Sequence, residues 1–343
     1  MKKTLEILTR LDAGDNVLTM HEDLVRTDAQ GVVHADADLL PWFARQLESI
    51  RSKLYKVEHP GLVAATGELL PFASDVEDGA ETYIYYMYDS RGIAEFLTDY
   101  AAEEAPEATI EGARKSGNVH MMQMKYHWTV SDVIRARKAG TDLQSMKAEA
   151  TRRGHDMRLH LTVLWGREDL GLKGFINNES ISVSVAADIG GGVTYWANKT
   201  IDQIVEDLGA VIHGTEELTN DVITITDGRI PTTEFNRLNR RRLGPGDGHA
   251  TFMEHIKKVF PGVTFKPMRE LQASKSSGNL AKDAAIFYHR KAEYCDVVHP
   301  RRYTQLPVQR EGLKFVVYTH STFGGVRMPH PLSVHRLDDI GLS

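Results

Sequence analysis

Three observations predict an α+β chain. Tyr83, Ile84, Tyr85, Tyr86, Met87 and Tyr88 form a run of strand-favouring residues. Thr200 followed by Gln203, with Ile201, Ile204, Val205, Leu208 and Ile212 at helical spacing, reads as a capping box that opens an amphipathic helix. Between Val222 and Ala285 strand-like and helix-like segments alternate. With 343 residues, 41% of them hydrophobic, the chain is long enough for about two folded units of ~150 residues.

The elements follow in order. Residues 1 to about 35 hold no sustained period of 2 or 3.6 and read as an extended arm. A helix is expected from Asp36 or Asp38, with Leu40, Phe43, Leu47 and Ile50 on one stripe that needs a partner surface. The aromatic strand from Tyr83 is expected to turn at Asp89-Ser90-Arg91-Gly92 into a second run, Ile93 to Tyr100, that includes Phe96. After an acidic stretch, Ala101 to Glu107, comes a third extended run through Val119, Met121, Met124, Tyr126 and Trp128. Such strands bury too little area to stand alone. They read equally as a half-buried pair in the chain's own core and as an interface, and packing on another chain is the expectation carried forward.

Ser131 to Ala139 suits a short helix. A longer one runs from Thr141 or Asp142 to about Trp165, with Met146, Ala150, Met157, Leu161 and Leu164 as its apolar stripe and Gly154 as a weak point. Beyond the Thr200 helix the pattern predicts a strand at Val222 to Thr226 and helices over 233–241 and 251–260. Strands near Val263 and Ala285 and a return to β over 312–337 complete it.

Charge and composition exclude several classes. Forty-one Lys plus Arg against 47 Asp plus Glu give a net charge of -6, which argues against a fold built as a basic nucleic-acid binder. Apolar runs such as Val183 to Ala187 fall far short of the ~20 residues that cross a bilayer, so no membrane is expected. Charges within Leu5 to Arg10 argue against a signal peptide. The lone Cys295 has no disulfide partner or CxxC motif, so a reducing compartment and a metal-free scaffold are expected.

Catalytic patterns are not apparent, so no catalytic residue, cofactor or metal ligand is assigned. His155 and His160 are five apart, about 140° around a helix, and neither His249 with His255 nor His330 with His335 makes a ligand pattern. Asp188-Ile189-Gly190-Gly191-Gly192 lacks the spacing of a nucleotide-binding loop and reads as a connector rather than a phosphate cradle. Cys295 reads as a packed thiol. Arg237, Arg240, Arg241 and Arg242, with Arg301 and Arg302, form a basic set without interleaved aromatics.

Several ordered motifs carry a resemblance. They are Trp42-Phe43-Ala44-Arg45-Gln46-Leu47-Glu48-Ser49-Ile50, Gly79-Ala80-Glu81-Thr82, Tyr86 to Ala94, and Gly171-Leu172-Lys173-Gly174-Phe175-Ile176-Asn177-Asn178. Gln305 to Val317, Gly324-Gly325-Val326 and Pro331-Leu332-Ser333-Val334 follow. Over residues 38 to 341 the chain resembles tailed-bacteriophage major capsid proteins of the Hong Kong 97 type fold. More narrowly it resembles the capsid family first known from bacterial sequences as a domain of unknown function.

The resemblance implies an arm over residues 1–58, an extended β loop with peripheral-domain strands over 59–129, and a spine helix with peripheral domain over 130–199. It also implies an axial domain over 200–303 and closing strands over 304–343. The implied role is an icosahedral phage head of pentamers and hexamers enclosing double-stranded DNA, assembled in the host cytoplasm, with portal, scaffolding and decoration proteins as further partners. Leu40, Phe43, Leu47, Tyr83, Tyr85, Tyr88, Phe96, Tyr100, Arg240, Arg241 and Arg242 become the candidate assembly residues. The arginines, placed in the axial domain with Arg301 and Arg302, either line the lumen or pair with carboxylates of a neighbour, and the second is expected. An encapsulin-like compartment is the near alternative, and a soluble α/β enzyme the distant one.

Overall fold

The computed structural model describes residues 25–27, 33–35, 60–91, 109–139, 143–244, 250–276 and 280–341. The chain divides into two units, residues 1–59 and 60–343. In the first, strand β1 (Val25–Thr27) pairs antiparallel with β2 (Val33–Ala35). The helix expected from Asp36, with Leu40, Phe43 and Leu47, lies outside the described residues.

The second unit opens on a coil that buries Ala64, Leu69 and Leu70. It continues into a two-stranded ribbon, β3 (Thr82–Arg91) antiparallel to β4 (Thr109–Asn118). One expectation fails here. Asp89, Ser90 and Arg91 do not turn but continue β3, opposite Glu111, Ile110 and Thr109. The partner strand is the polar segment Thr109 to Asn118, for which the sequence showed no strand signal. Ladder hydrogen bonds along all ten pairs hold a turn-prone sequence extended, because an unpaired backbone group costs more than local propensity returns. Phe96 and Tyr100 lie outside the described residues.

Strand β5 (His120–Thr129) is not part of the ribbon but joins a sheet of its own chain, with Met121 and Met124 left exposed. It pairs along its whole length with β13 (Lys314–Phe323), which also carries β11 (Thr304–Gln305) and β12 (Gln309–Glu311). Tyr126, Trp128 and Val317 are buried together on one face of this sheet. Helix α1 (Val130–Ala139) then starts at a reciprocal cap: Thr129 Oγ1 accepts from the Asp132 N–H and Asp132 Oδ2 from the Thr129 N–H.

Helix α2 (Leu143–Trp165) follows, and its amphipathicity is inverted along much of its length. Met146, Met157 and Leu161 are exposed, while Thr151, His155, His160 and Thr162 are buried; only Leu164 of the expected stripe is inside. The inner polar groups are satisfied. Thr151 and Thr162 donate to the carbonyls of Lys147 and Arg158, and His155 meets the hydroxyls of Ser321 and Thr319. Gly154 does not interrupt the helix; a Cβ there would stand 2.8 Å from Met124 Sδ, so its bare backbone admits the β5 side chain.

Next come β6 (Ser182–Val185) and α3 (Ile201–Leu218), capped reciprocally by Thr200 and Gln203 as the sequence predicts. The strand expected at Val222 to Thr226 begins instead at Asp227, and Val222 is exposed. The remaining elements are β7 (Asp227–Pro231), α4 (Thr232–Arg240), α5 (Phe252–Val259), β8 (Thr264–Met268), β9 (Asp283–Tyr288), β10 (Asp296–Val298), β14 (Gly325–Arg327) and β15 (Val334–Gly341).

Strands β6-β15-β9-β7-β8 form a five-stranded sheet, and β9 runs through its middle with all six residues buried. Successive side chains point to opposite faces. Ile286 and Tyr288 therefore join Leu164, Phe175 and Phe323 in one core, whereas Ala285 and Phe287 join Trp196, Leu208 and Ile256 in the other.

Candidate assembly surfaces

The ribbon has two unlike faces. Tyr83 and Tyr85 point toward the body of their own chain: the Tyr83 hydroxyl donates to the Gly324 carbonyl at 3.1 Å, and the Arg327 guanidinium lies over the Tyr85 ring. Burial pushes the Tyr83 hydroxyl up to about 12 and raises that of Tyr85. Gly117 lies opposite Tyr83, and a Cβ there would come within 2.4 Å of the Tyr83 ring, so the ring lies flat across the partner strand. The other face carries Ile84, Tyr86 at 59% exposure, Tyr88 at 72% and, across the ladder, Ile110 at 70%. Residues 83 to 88 are apolar or aromatic at every position, so the sequence marked a strand but not its two faces, and Ile110 gave no signal.

An ionic clamp sits at the root of the ribbon. Arg327 donates to both carboxylate oxygens of Asp75, at 2.7 and 3.1 Å, and its Nε donates to the Asp296 carboxylate at 2.9 Å. Burial raises the Asp296 carboxyl, while the Arg327 hydrogen bond holds that of Asp75 below its ordinary value. Nearby, Arg301 Nε donates to Asp78 at 2.6 Å.

The basic set does not act as one cluster. Arg240 and Arg242 are exposed at the end of α4. Arg241 donates to the Trp196 carbonyl at 3.1 Å and stands 4.4 Å over the Phe252 ring, so it belongs to its own subunit's packing. Arg301 and Arg302 have different neighbours, Asp78 with His320 and the Phe72 ring. Arg237 holds the buried Glu234, whose carboxyl burial pushes up to about 7 against that arginine's attraction.

The chemistry considered from sequence can now be placed. Asp188 accepts from the Gly190 and Gly192 N–H groups at 2.8 and 3.0 Å, so the glycine loop spends those donors on its own carboxylate. Burial pushes the Cys295 thiol up to about 12, the behaviour of a packed side chain. His155 and His160 have separate partners, the second between the Ala64 N–H and Glu270. Among the described residues, no group of three or more His, Cys, Asp or Glu is placed to hold a metal, and no helix is long and apolar enough to cross a membrane.

Exposed apolar residues missed from sequence lie on the outer side of α2, at Met146, Met157 and Leu161. Others lie where α1 meets the β12–β13 turn, at Val130, Ile134, Val308 and Leu313.

The family model described as Major capsid protein matches residues 92–340. The capsid of Myoviridae phage XM1 superposes with a TM-score of 0.72 at 17% identity, covering 87% of this chain and 98% of that one. A structure from Gordonia phage Cozz gives 0.58 at 12% identity, covering 95% and 99%. The capsid of a native GTA particle gives 0.58 at 9% identity, covering 90% and 100%. No protein of curated function matches. The chain belongs to the major capsid protein family, has the α+β fold of Hong Kong 97 type, and serves a structural part in a capsid shell.

Proposed function

We propose that this chain tiles an icosahedral phage head, as pentamers and hexamers, around double-stranded DNA, after assembling in the host cytoplasm. Ribbon β3–β4 is the extended loop, α2 the spine helix, residues 130–199 the peripheral domain with the strands that close on it, and residues 200–303 the axial domain. The observation that carries this reading is the ribbon's outer face. Ile84, Tyr86, Tyr88 and Ile110 present apolar area on the side opposite Tyr83 and Tyr85, so the chain's own body does not cover it. A neighbouring copy covers it, joined by Phe96 and Tyr100 further along the loop. Leu40, Phe43 and Leu47 of the arm make a second contact of this kind.

Head-to-tail contacts between unlike surfaces generate closed rings when the rotation closes. Exposed Arg240 and Arg242 meet carboxylates of an adjacent axial domain, while Arg241 supports them from within the subunit. Portal, scaffolding and decoration proteins complete the set of partners. Particles bearing this chain, purified from nuclease-treated lysate and imaged by electron microscopy, test the reading. Closed shells holding nuclease-protected double-stranded DNA are expected. Shells filled with protein cargo and free of such DNA would make it a compartment instead.

A further inference from the structure

Helix α2 and strand β5 border a cleft of about 430 Å³. Met121, Met122 and Met124 of β5 line it, with Gly154 and Arg158 of the helix. The bare Gly154 backbone keeps it open, since a Cβ there would meet Met124 Sδ. Ala150, Met157 and Leu161 stand four residues before, three after and seven after Gly154, so they extend the cleft along one side of the helix. All three are exposed. Thioether side chains adapt readily to a partner's shape. Arg153 and Arg158 flank this apolar stripe, one on each side. Arg153 donates to the Pro60 carbonyl at 3.3 Å, and Arg167, which also lines the cleft, donates to Asp169 at 2.9 Å. The exposed Arg158 guanidinium has no partner among the described residues.

The sequence that joins β3 to β4, residues 92–108, has the complementary character. Ile93, Phe96, Leu97 and Tyr100 fall at spacings of three, four and seven, the pattern of one helix face. Glu95, Asp99, Glu103, Glu104 and Glu107 give it five negative charges, and it contains no Lys, Arg or His. We propose that this acidic, apolar tip fills the α2–β5 cleft of the next copy of the chain, its apolar residues against the methionines and its carboxylates beside Arg153 and Arg158. The inference rests on the reading of the chain as a shell subunit and adds to it the place where the ribbon ends.

Reach assigns the cleft to another copy. His120, which lines the cleft, lies two residues after Asn118, the partner of Thr82 at the ribbon root. Ten residue pairs at about 3.3 Å each carry the far end, Arg91 and Thr109, roughly 30 Å from that root. To turn back to its own subunit's cleft, Tyr100 would need all the chain from Arg91 stretched to roughly 3.3–3.6 Å per residue. A run with helical spacing rises only about 1.5 Å per residue. A cleft on a neighbour carries no such constraint, and a contact of tip with cleft is head-to-tail, the kind that closes rings. The attraction between exposed carboxylates and guanidinium groups weakens as salt rises.

Disulfide trapping in assembled full-length chains tests the docking. The single native cysteine, Cys295, is buried, so introduced thiols are the reactive ones. A chain with Phe96→Cys and Leu161→Cys, oxidised with copper phenanthroline, should give a ladder of joined subunits on denaturing, non-reducing gels. Met157→Cys takes the place of Leu161→Cys should that variant not fold. Chains carrying one cysteine each, assembled together, should give dimers of unlike chains. Arg158→Glu should cut the yield about two- to fivefold, the size of one exposed ion pair, and adding Glu95→Lys with Asp99→Lys should restore it. No ladder, a link formed only within single chains, or a yield indifferent to Arg158→Glu overturns the proposal. Closed particles that hold DNA but lack the link would overturn this docking and leave the shell reading standing. A ladder in oligomers that never close would support the docking and overturn the shell.

Discussion

Strands β3 and β9 have similar composition at their centres, Tyr-Ile-Tyr-Tyr-Met-Tyr against Ala-Ala-Ile-Phe-Tyr, yet opposite surroundings. Both alternate. In β9 the two faces enter two cores of the same subunit, and all six residues are buried. In β3 one face meets its own chain through Tyr83 and Tyr85, while Ile84, Tyr86 and Tyr88 remain exposed. A strand of one kind packs a subunit on both sides; a strand of the other kind leaves apolar area exposed on one.

The comparison breaks most sharply at Phe287, packed edge-on against Phe265. Phe287→Ala should cost about 3–5 kcal/mol of subunit stability in urea denaturation, the range for truncating a buried aromatic. A loss near that of a surface change would mean β9 does not carry the fold.

At the boundary between the two regions, Arg327→Met leaves the buried Asp296 without its cation. The expected loss is about 3 kcal/mol, with faster hydrogen exchange over residues 82–91 than elsewhere. Uniform exchange would show that the clamp serves the body and not the ribbon.

Glu234 sharpens the comparison through pH. Its folded value, near 7, lies above the ordinary glutamate value of 4.5. The folded chain therefore holds this proton more tightly than the unfolded chain, and the stability this adds at low pH is lost as pH rises from about 4.5 to 7. Glu234→Gln should flatten that slope by about 1–3 kcal/mol, an order of magnitude from the linkage of one shifted group. An unchanged pH profile would remove Glu234 as its source.

The smallest effect on the subunit belongs to the ribbon's outer face. Tyr86→Ser with Tyr88→Ser should move subunit stability by no more than about 0.5 kcal/mol. Assembly should weaken by about 1–3 kcal/mol if these rings are interface anchors, read as a higher critical concentration in light scattering. Equal loss in both measurements would return them to the subunit's own packing.

Much was legible where a signal is local. The Thr200–Gln203 cap, the stop of α5 before Pro261-Gly262 and the β character of residues 312–337 depend on neighbours a few residues apart. Of the candidate residues, Tyr88 is exposed, Tyr83 and Tyr85 partly turned inward, and Arg241 engaged within its subunit. Nothing in the spacing distinguished Tyr85 from Tyr86, because a run that is apolar at every position does not say which face is covered.

The sequence by itself determined the α+β class, the Thr200–Gln203 cap, and through ordered motifs the resemblance to capsid proteins, and it carried no metal or nucleotide signature. Only the tertiary structure decided that Thr109 to Asn118 is the ribbon's second strand, that β5 pairs with β13 nearly two hundred residues later, and that α2 turns its histidine and threonine face inward. Pairing satisfies backbone groups whatever the local propensity. A polar helix face can be buried wherever distant hydroxyls such as those of Thr319 and Ser321 complete its hydrogen bonds, and no window of neighbouring residues contains those partners.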